Sequence, residues 1–244
     1  MLKRNPGFDV TYLFTDQMSP EDKDKVLEDI YILSVNNVDK ITKEYLRARL
    51  EKYQVLILAY EGEQLLGFMF NHLYSMNFLF IKYPVVHVGL TIVDKAHRRR
   101  NITGYFSAAI YRAAKERMGL MSLGFGLFLT SKCSSPISFL RIMKASMNFG
   151  LPKIKDTDRL DKFSSSGLGR RFSKKITSII ASETNRDFKV LSANDDSNFQ
   201  LEKEKFSPRN QREEKIFDYF DKHIMPQNEL VFVSWMHPVF LLWF

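Results

Sequence analysis

Between residues 54 and 93 the apolar positions gather into three short runs, 54–60 (QVLILAY), 64–74 and 84–93 (PVVHVGLTIV), with polar residues between them. Runs this short, rich in β-branched and aromatic side chains, predict strands, and Glu61-Gly62-Glu63 predicts the turn of a hairpin joining the first two. A looser alternation over residues 9–16 (DVTYLFTD) predicts an earlier strand. Elsewhere the apolar residues recur every three or four positions, the period of a helix. One helix is predicted to begin after Ser19-Pro20-Glu21-Asp22, an N-cap, a first-turn proline and two acids, and to reach about Val38. Another covers residues 42–52, with Tyr45, Leu46 and Leu50 on one face. A third covers residues 103–118, with Phe106, Ala109, Ile110, Ala113 and Ala114 at helical spacing.

Further strands are expected at residues 123–130 and 230–236, with a helix opening at Pro136 and ending near residue 148, and another over residues 216–224. Up to residue 150 the order is β, α, α, β, β, β, α, β, α. That order predicts an α/β chain, more closely an α+β three-layer fold with a mixed central sheet flanked by helices. After Gly150 the periodicity dissolves: residues 153–215 are polar and charged, with at most a short helix at 174–181 and a short strand at 188–191. The expected organisation is therefore a core over residues 1–150, a polar basic insertion over 151–215 before the last strand, and a helix and strand over 216–244 that complete the core.

Composition narrows the function. The chain has 244 residues, 45% of them apolar and 14% aromatic, enough for one substantial core with a smaller appendage. Its formal charge of +8 favours anionic partners: nucleotide cofactors, nucleic acid or acidic membrane surfaces. The single cysteine, Cys133, excludes an internal disulfide framework and a multi-cysteine zinc site. The histidines, His72, His87, His97, His223 and His237, stand apart with no metal-ligand spacing, so no metal is expected. The first residues lack the long apolar run and small-residue cleavage site of a signal peptide, and no apolar stretch approaches the ~20 residues needed to cross a bilayer. The expectation is a soluble, cytoplasmic protein.

The stretch that carries chemistry is VDKAHRRRNITGYF, residues 93–106. A strand ends, a turn carries Arg98, Arg99 and Arg100, and a helix begins with its leading N–H groups unbonded, which makes an anion site. A solvated basic turn before a core helix is the plainer alternative. The stretch resembles motif A of the GNAT superfamily of N-acetyltransferases, a strand ending in Val followed by Asp-Pro-x-Tyr-Arg-Gly-x-Gly-x-Gly. Val93, Asp94, Arg98, Arg100 and Ile102 fall in its register. Arg99, Asn101 and Thr103 stand where the family has glycines, and Lys95 where it has proline.

The resemblance covers residues 9–150, with the last strand as a further candidate, and implies a GNAT-like sheet in which the strand ending at Val93 splays from its neighbour. It implies acetyl-CoA or another acyl-CoA as co-substrate, with Val93 at the pantetheine and Arg98, Arg99, Arg100, Asn101, Ile102, Thr103 and Gly104 around the phosphates; Ile92 joins them as a cofactor-binding candidate. The reaction implied is transfer of an acyl group, most simply acetyl, to an amine by direct attack.

His87 lies six residues before Val93, at the position where histone and arylalkylamine acetyltransferases of that superfamily carry an acidic or histidine base, and is the catalytic candidate. Even spacing is expected to put His87, Gly89, Thr91 and Val93 on one strand face. A buried histidine bonded to a backbone carbonyl is the alternative. Residues 134–143 (SSPISFLRIM) hold no tyrosine to protonate the leaving thiolate; Ser134 and Ser135 are the nearest hydroxyls. Phe68, Phe70, Tyr74, Phe78 and Phe80 offer either an aromatic acceptor pocket or core. Residues 167–175 (GLGRRFSKK) read as a solvated basic loop or a nucleic-acid contact through Arg170, Arg171, Lys174, Lys175 and Phe172. A noncatalytic CoA-binding or nucleic-acid-associated protein on the same fold stays open beside the enzyme.

Overall fold

The computed structural model of the chain describes residues 7–38, 40–78, 80–119, 126–133, 189–190, 208, 210–223 and 229–236. Seven strands form one sheet: β1 (Asp9–Phe14), β2 (Val55–Glu61), β3 (Gln64–Phe78), β4 (Ile81–Val93), β5 (Leu127–Cys133), β6 (Lys189–Val190) and β7 (Glu229–Met236). Their order is β1-β2-β3-β4-β5-β7-β6. Every neighbouring pair is antiparallel except β4 and β5, which run parallel. The expected mixed sheet is thus the one observed. β4 begins three residues before the predicted Pro84, because the β3–β4 hairpin continues to Phe78↔Ile81.

Helices cover both faces. α1 (Pro20–Val35) starts as predicted, with the Ser19 hydroxyl accepting from the Asp22 amide at 3.1 Å and Pro20 in the first turn. It ends at Val35 rather than Val38, where Asn37 takes over: its side-chain amide donates to Leu33 O at 2.8 Å. α2 (Lys43–Lys52) is capped by Thr42. Leu27, Ile30 and Leu33 of α1 meet Leu46 and Leu50 of α2 and Leu56, Leu58, Phe68 and Phe70 of the sheet in one buried cluster. α3 (Ile102–Met118) covers the other face, where Phe106, Ala109, Ile110 and Ala113 pack on Val55, Ile57, Met69, Leu73 and Val86. The small alanines let the helix approach the sheet closely, so Ala113→Leu would overpack a site with no space to yield.

α4 (Gln211–His223) begins five residues before the predicted start, inside the stretch read as insertion, with Ile216 and Phe220 fully buried four positions apart. β7 inserts beside β5 and carries β6 on its outer edge. The helix predicted at Pro136, Ser134, Ser135, and the basic residues 167–175 lie outside the described residues.

Candidate active site

The parallel pair at the centre of the sheet is short. β4 and β5 are matched only at Val85↔Phe128, Val86↔Leu129, His87↔Thr130 and Val88↔Ser131. Beyond Val88, β4 continues to Val93 with no partner on that side among the described residues. The Ser131 hydroxyl donates to Val88 O at 3.1 Å, closing the ladder where the strands part. The backbone from Gly89 to Val93 is therefore, among the described residues, an unpaired edge on that side, and polar main-chain edges left so need a partner.

At the point of divergence β4 carries an extra residue. Pairing with β3 runs Asn71↔Val88 and then Met69↔Thr91, so that Gly89 and Leu90 together oppose Phe70. Such a bulge reverses side-chain parity. Val86 and Val88 pack against the α3 side and Val93 joins the same cluster, whereas Leu90 and Ile92 pack on the α1/α2 side. His87 also faces α1 and α2, its ring near-parallel to Tyr53 at 6.1 Å and 20°. The expected single face of His87, Gly89, Thr91 and Val93 is thereby corrected: His87 and Gly89 turn toward Tyr53, while Thr91, opposite Met69, and Val93 turn toward α3. No local pattern signals the bulge.

His87 is 6% exposed. Its Nδ1 lies 3.1 Å from the Thr130 hydroxyl, which itself reaches Val86 O at 3.4 Å. With the hydroxyl proton given to that carbonyl, its oxygen accepts Nδ1–H and the imidazole lone pair stands on Nε2. Burial, followed by the positive charges of Lys132, His72, Lys52 and Arg49, pulls the imidazole down to about 3, so it is neutral across the physiological range.

At the far end of β4 the chain is tied down before α3 starts. The Asp94 amide donates to Leu66 O at 2.9 Å, and the Lys95 amide to Asn37 Oδ1 at 2.8 Å. Asp94 caps a 3-10 turn (Lys95–His97), accepting from the Ala96 amide at 3.0 Å while its other oxygen meets His97 Nδ1 at 3.0 Å. Two of the three glycine-type positions do adopt the backbone that glycine favours: Arg99 has φ +85° and Asn101 φ +59°. The third, Thr103, is already helical. Gly104 tucks under Asn101, whose amide would lie 2.7 Å from a Cβ there.

The start of α3 is suited to an anion. Asn101 occupies the N-cap without a side-chain capping bond, so it takes up none of the leading amides of α3, although its side chain lies against Gly104 in the first turn. Arg99 is exposed, and Arg98 reaches back to Val93 O with Nε at 3.4 Å. Arg100 is engaged elsewhere. Its guanidinium meets both Glu61 oxygens at 2.7 and 3.0 Å and lies over the Phe8 ring at 5.2 Å. The paired guanidinium holds Glu61 below the usual carboxylate range. Ile92 and Ile102 are buried, at 4% and 2% exposed, with their side chains in the two core clusters on opposite faces of the sheet.

Sequence reasoning expected a strand end, the arginine turn and a helix start in succession, and the structure has them in that order. It missed Tyr53, Arg49, Asn37 and Glu61. A tyrosine closing α2 and a glutamate in a hairpin turn carry no local mark of nearness to β4. Among the described residues no group of His, Cys, Asp and Glu could hold a metal ion, and no helix is long and apolar enough to cross a membrane.

No protein-family model matches the sequence, and no curated protein matches it. Solved structures similar to it include an aminoglycoside acetyltransferase, meta-AAC0020, from an uncultured soil metagenomic sample, in complex with sisomicin. The identity is 13% and the TM-score 0.38, over 63% of this chain and 93% of that one. Ribosomal-protein-alanine N-acetyltransferase from Brucella melitensis biovar Abortus 2308 is 14% identical, TM-score 0.41, over 57% and 89%. The aminoglycoside N-acetyltransferase AAC(6')-Iy in complex with CoA is 14% identical, TM-score 0.40, over 61% and 90%. The sheet of this chain is itself mixed, with one parallel pair at its centre and helices on both faces.

Proposed function

We propose that the chain is an acyl-CoA-dependent N-acyltransferase, with acetyl-CoA as the simplest donor and His87 as the proton acceptor. The observation that carries this reading is the parting of β4 from β5 after Val88, with the uncapped start of α3 standing just past the end of the same strand. An acyl-CoA has an extended amide-bearing arm and a diphosphate. The first suits an unpaired strand edge, and the second suits a helix start flanked by Arg98 and Arg99. Alignment with the helix dipole contributes about 0.3–1 kcal/mol per charge, so the arginines and backbone donors together are needed. Arg100, held by Glu61 and Phe8, anchors the turn to the β2–β3 hairpin and to the segment before β1.

The thioester supplies an activated carbonyl. The acceptor amine forms the new C–N bond at that carbon, the C–S bond breaks, the amine sheds a proton, and the thiolate takes one up from a donor such as water. His87 contributes a lone pair already neutral at working pH, oriented through Nδ1 by Thr130 and supported by the Tyr53 ring. A noncatalytic acyl-CoA-binding module is the second reading, favoured by the depressed basicity of His87.

Calorimetry with acetyl-CoA and thiol release with a panel of amines test both. Binding with turnover is expected, and His87→Ala should lower turnover roughly a hundredfold or more with acetyl-CoA affinity kept within threefold. Binding without thiol release from any amine moves the chain to the second reading. Absence of binding overturns both.

A further inference from the structure

The cations of α2 divide into two kinds. Lys43 and Arg47, on its outer side, pair with Glu28 and Asp24 of α1. Arg49 and Lys52, nearer the sheet, pair with no carboxylate among the described residues. Arg49 instead lies on aromatic rings: its Cζ is 4.7 Å from the Tyr45 centroid and 5.9 Å from that of Tyr53, and Nη1 reaches the Tyr53 hydroxyl at 3.4 Å. A guanidinium laid on rings keeps its planar fork available for a bidentate acceptor. Tyr53 joins this cation to the candidate base, since the same ring lies along His87.

The described groups that act on His87 from α2, β3 and β5 are all basic. On α2 stand Arg49 and Lys52. On β3 His72 is opposite His87, with Nδ1 3.2 Å from Lys52 O and its ring 4.2 Å from that of Tyr74. On β5 Lys132 follows Thr130 by two residues and so shares its face. Each of these four side chains lowers the proton affinity of His87, after burial, and no carboxylate raises it. Lys52 is itself lowered, by burial and then by Arg49 and Lys132. Arg49 and Lys52, set beside a partly buried aromatic wall, have among the described residues no carboxylate to supply the counter-charge that such groups ordinarily require.

We infer that the acceptor is an anionic amine, whose own carboxylate or phosphate is held by Arg49 and Lys52 against Tyr45 and Tyr53 while its amine approaches His87. This specifies the acceptor class and rests on the acyl-transfer reading above. It also gives the bound substrate a part in its own deprotonation. A negative group among Arg49, Lys52, His72 and Lys132 offsets their repulsion of a proton on His87, so the base strengthens when the right acceptor is present and stays weak when it is absent.

Two pairs of amines, each differing by one anionic group, test the inference on the full chain: L-phenylalanine against 2-phenylethylamine, and O-phosphoethanolamine against ethanolamine. Initial rates with acetyl-CoA should show a KM at least tenfold lower for the anionic member of one pair; which pair responds identifies the group as carboxylate or phosphate. Arg49→Gln should raise that KM about tenfold, with kcat within threefold and the KM for acetyl-CoA unchanged, and Arg49→Lys should recover part of the loss. Lys52→Gln, at an exposed position, gives a second variant that does not depend on the fold tolerating loss of Arg49.

Calorimetry of the same four amines, with and without CoA, reads acceptor binding independently of turnover. Preference for the uncharged member of both pairs, or an anionic preference untouched by Arg49→Gln and Lys52→Gln, overturns the inference. Failure of acetyl-CoA to bind, with the anionic probe still bound through Arg49, strikes the acyl-transfer reading alone.

Discussion

The ring of Tyr53 fills the space that a side chain at Gly89 would need: a Cβ there would lie 2.5 Å from Cε1, 2.6 Å from Cζ and 2.8 Å from the hydroxyl. The contact joins the end of α2 to the bulge of β4 and sets the ring beside His87. Glycine is required here for close approach.

Gly89→Ala should therefore destabilise the fold by about 1–3 kcal/mol and displace Tyr53 from His87. Denaturant unfolding measures the first effect. Because Tyr53 supplies the clash, the cost of Gly89→Ala should fall by more than half in a Tyr53→Ala background, a coupling read from a double-mutant cycle. An equal cost in both backgrounds would show that the backbone of the bulge resists the substitution.

Stability should fall on acidification partly because of His87. Its folded value of about 3 lies below the ordinary value near 6.5, so the unfolded chain binds the proton more readily between those limits. The contribution is complete above pH 6.5 and is lost as pH falls toward 3, at up to about 1.4 kcal/mol per pH unit. His87→Gln should flatten the stability curve between pH 6 and 4 relative to wild type, as urea unfolding at stepped pH would show.

The three arginines of the turn should respond differently. If the proposed acyl-CoA site is right, Arg99→Ala should weaken acetyl-CoA binding roughly tenfold and reduce its salt dependence, because an exposed cation at the helix start would meet phosphate directly. Arg100→Ala should act through the turn it anchors, and Glu61→Gln, which spares the arginine, should reproduce the structural part of that loss. Tighter cofactor binding in Glu61→Gln would show that Arg100 becomes a phosphate ligand once released.

At Asn101 the backbone sets the outcome. With φ at +59°, Asn101→Ala should cost about 1 kcal/mol, while Asn101→Gly should be neutral or stabilising. Thermal unfolding separates them. Equal effects would place the cost in the side chain folded over Gly104 instead.

Much of this architecture is legible from periodicity. The caps at Ser19 and Thr42, the hairpin turn at Gly62 and the helix over Phe106, Ala109 and Ala113 are properties of neighbouring residues, and the chain shows them directly. The arginine turn is legible for the same reason, since strand end and helix start adjoin. What the sequence hides depends on pairing over distance. The bulge exists only because Gly89 and Leu90 share Phe70, and Asn37 matters because it reaches Lys95. Arg49 and Tyr53 are ordinary helix residues until β4 is laid beside them.

The bulge lets β4 absorb the loss of one residue in a way that an ordinary strand would not. Removing Leu90 would restore simple alternation and leave the faces beyond it as they are: Ile92 would stay with the α1/α2 cluster and Val93 with α3. Homologous chains should therefore tolerate the loss of this one residue, because His87 and Val93 keep their layers with or without it.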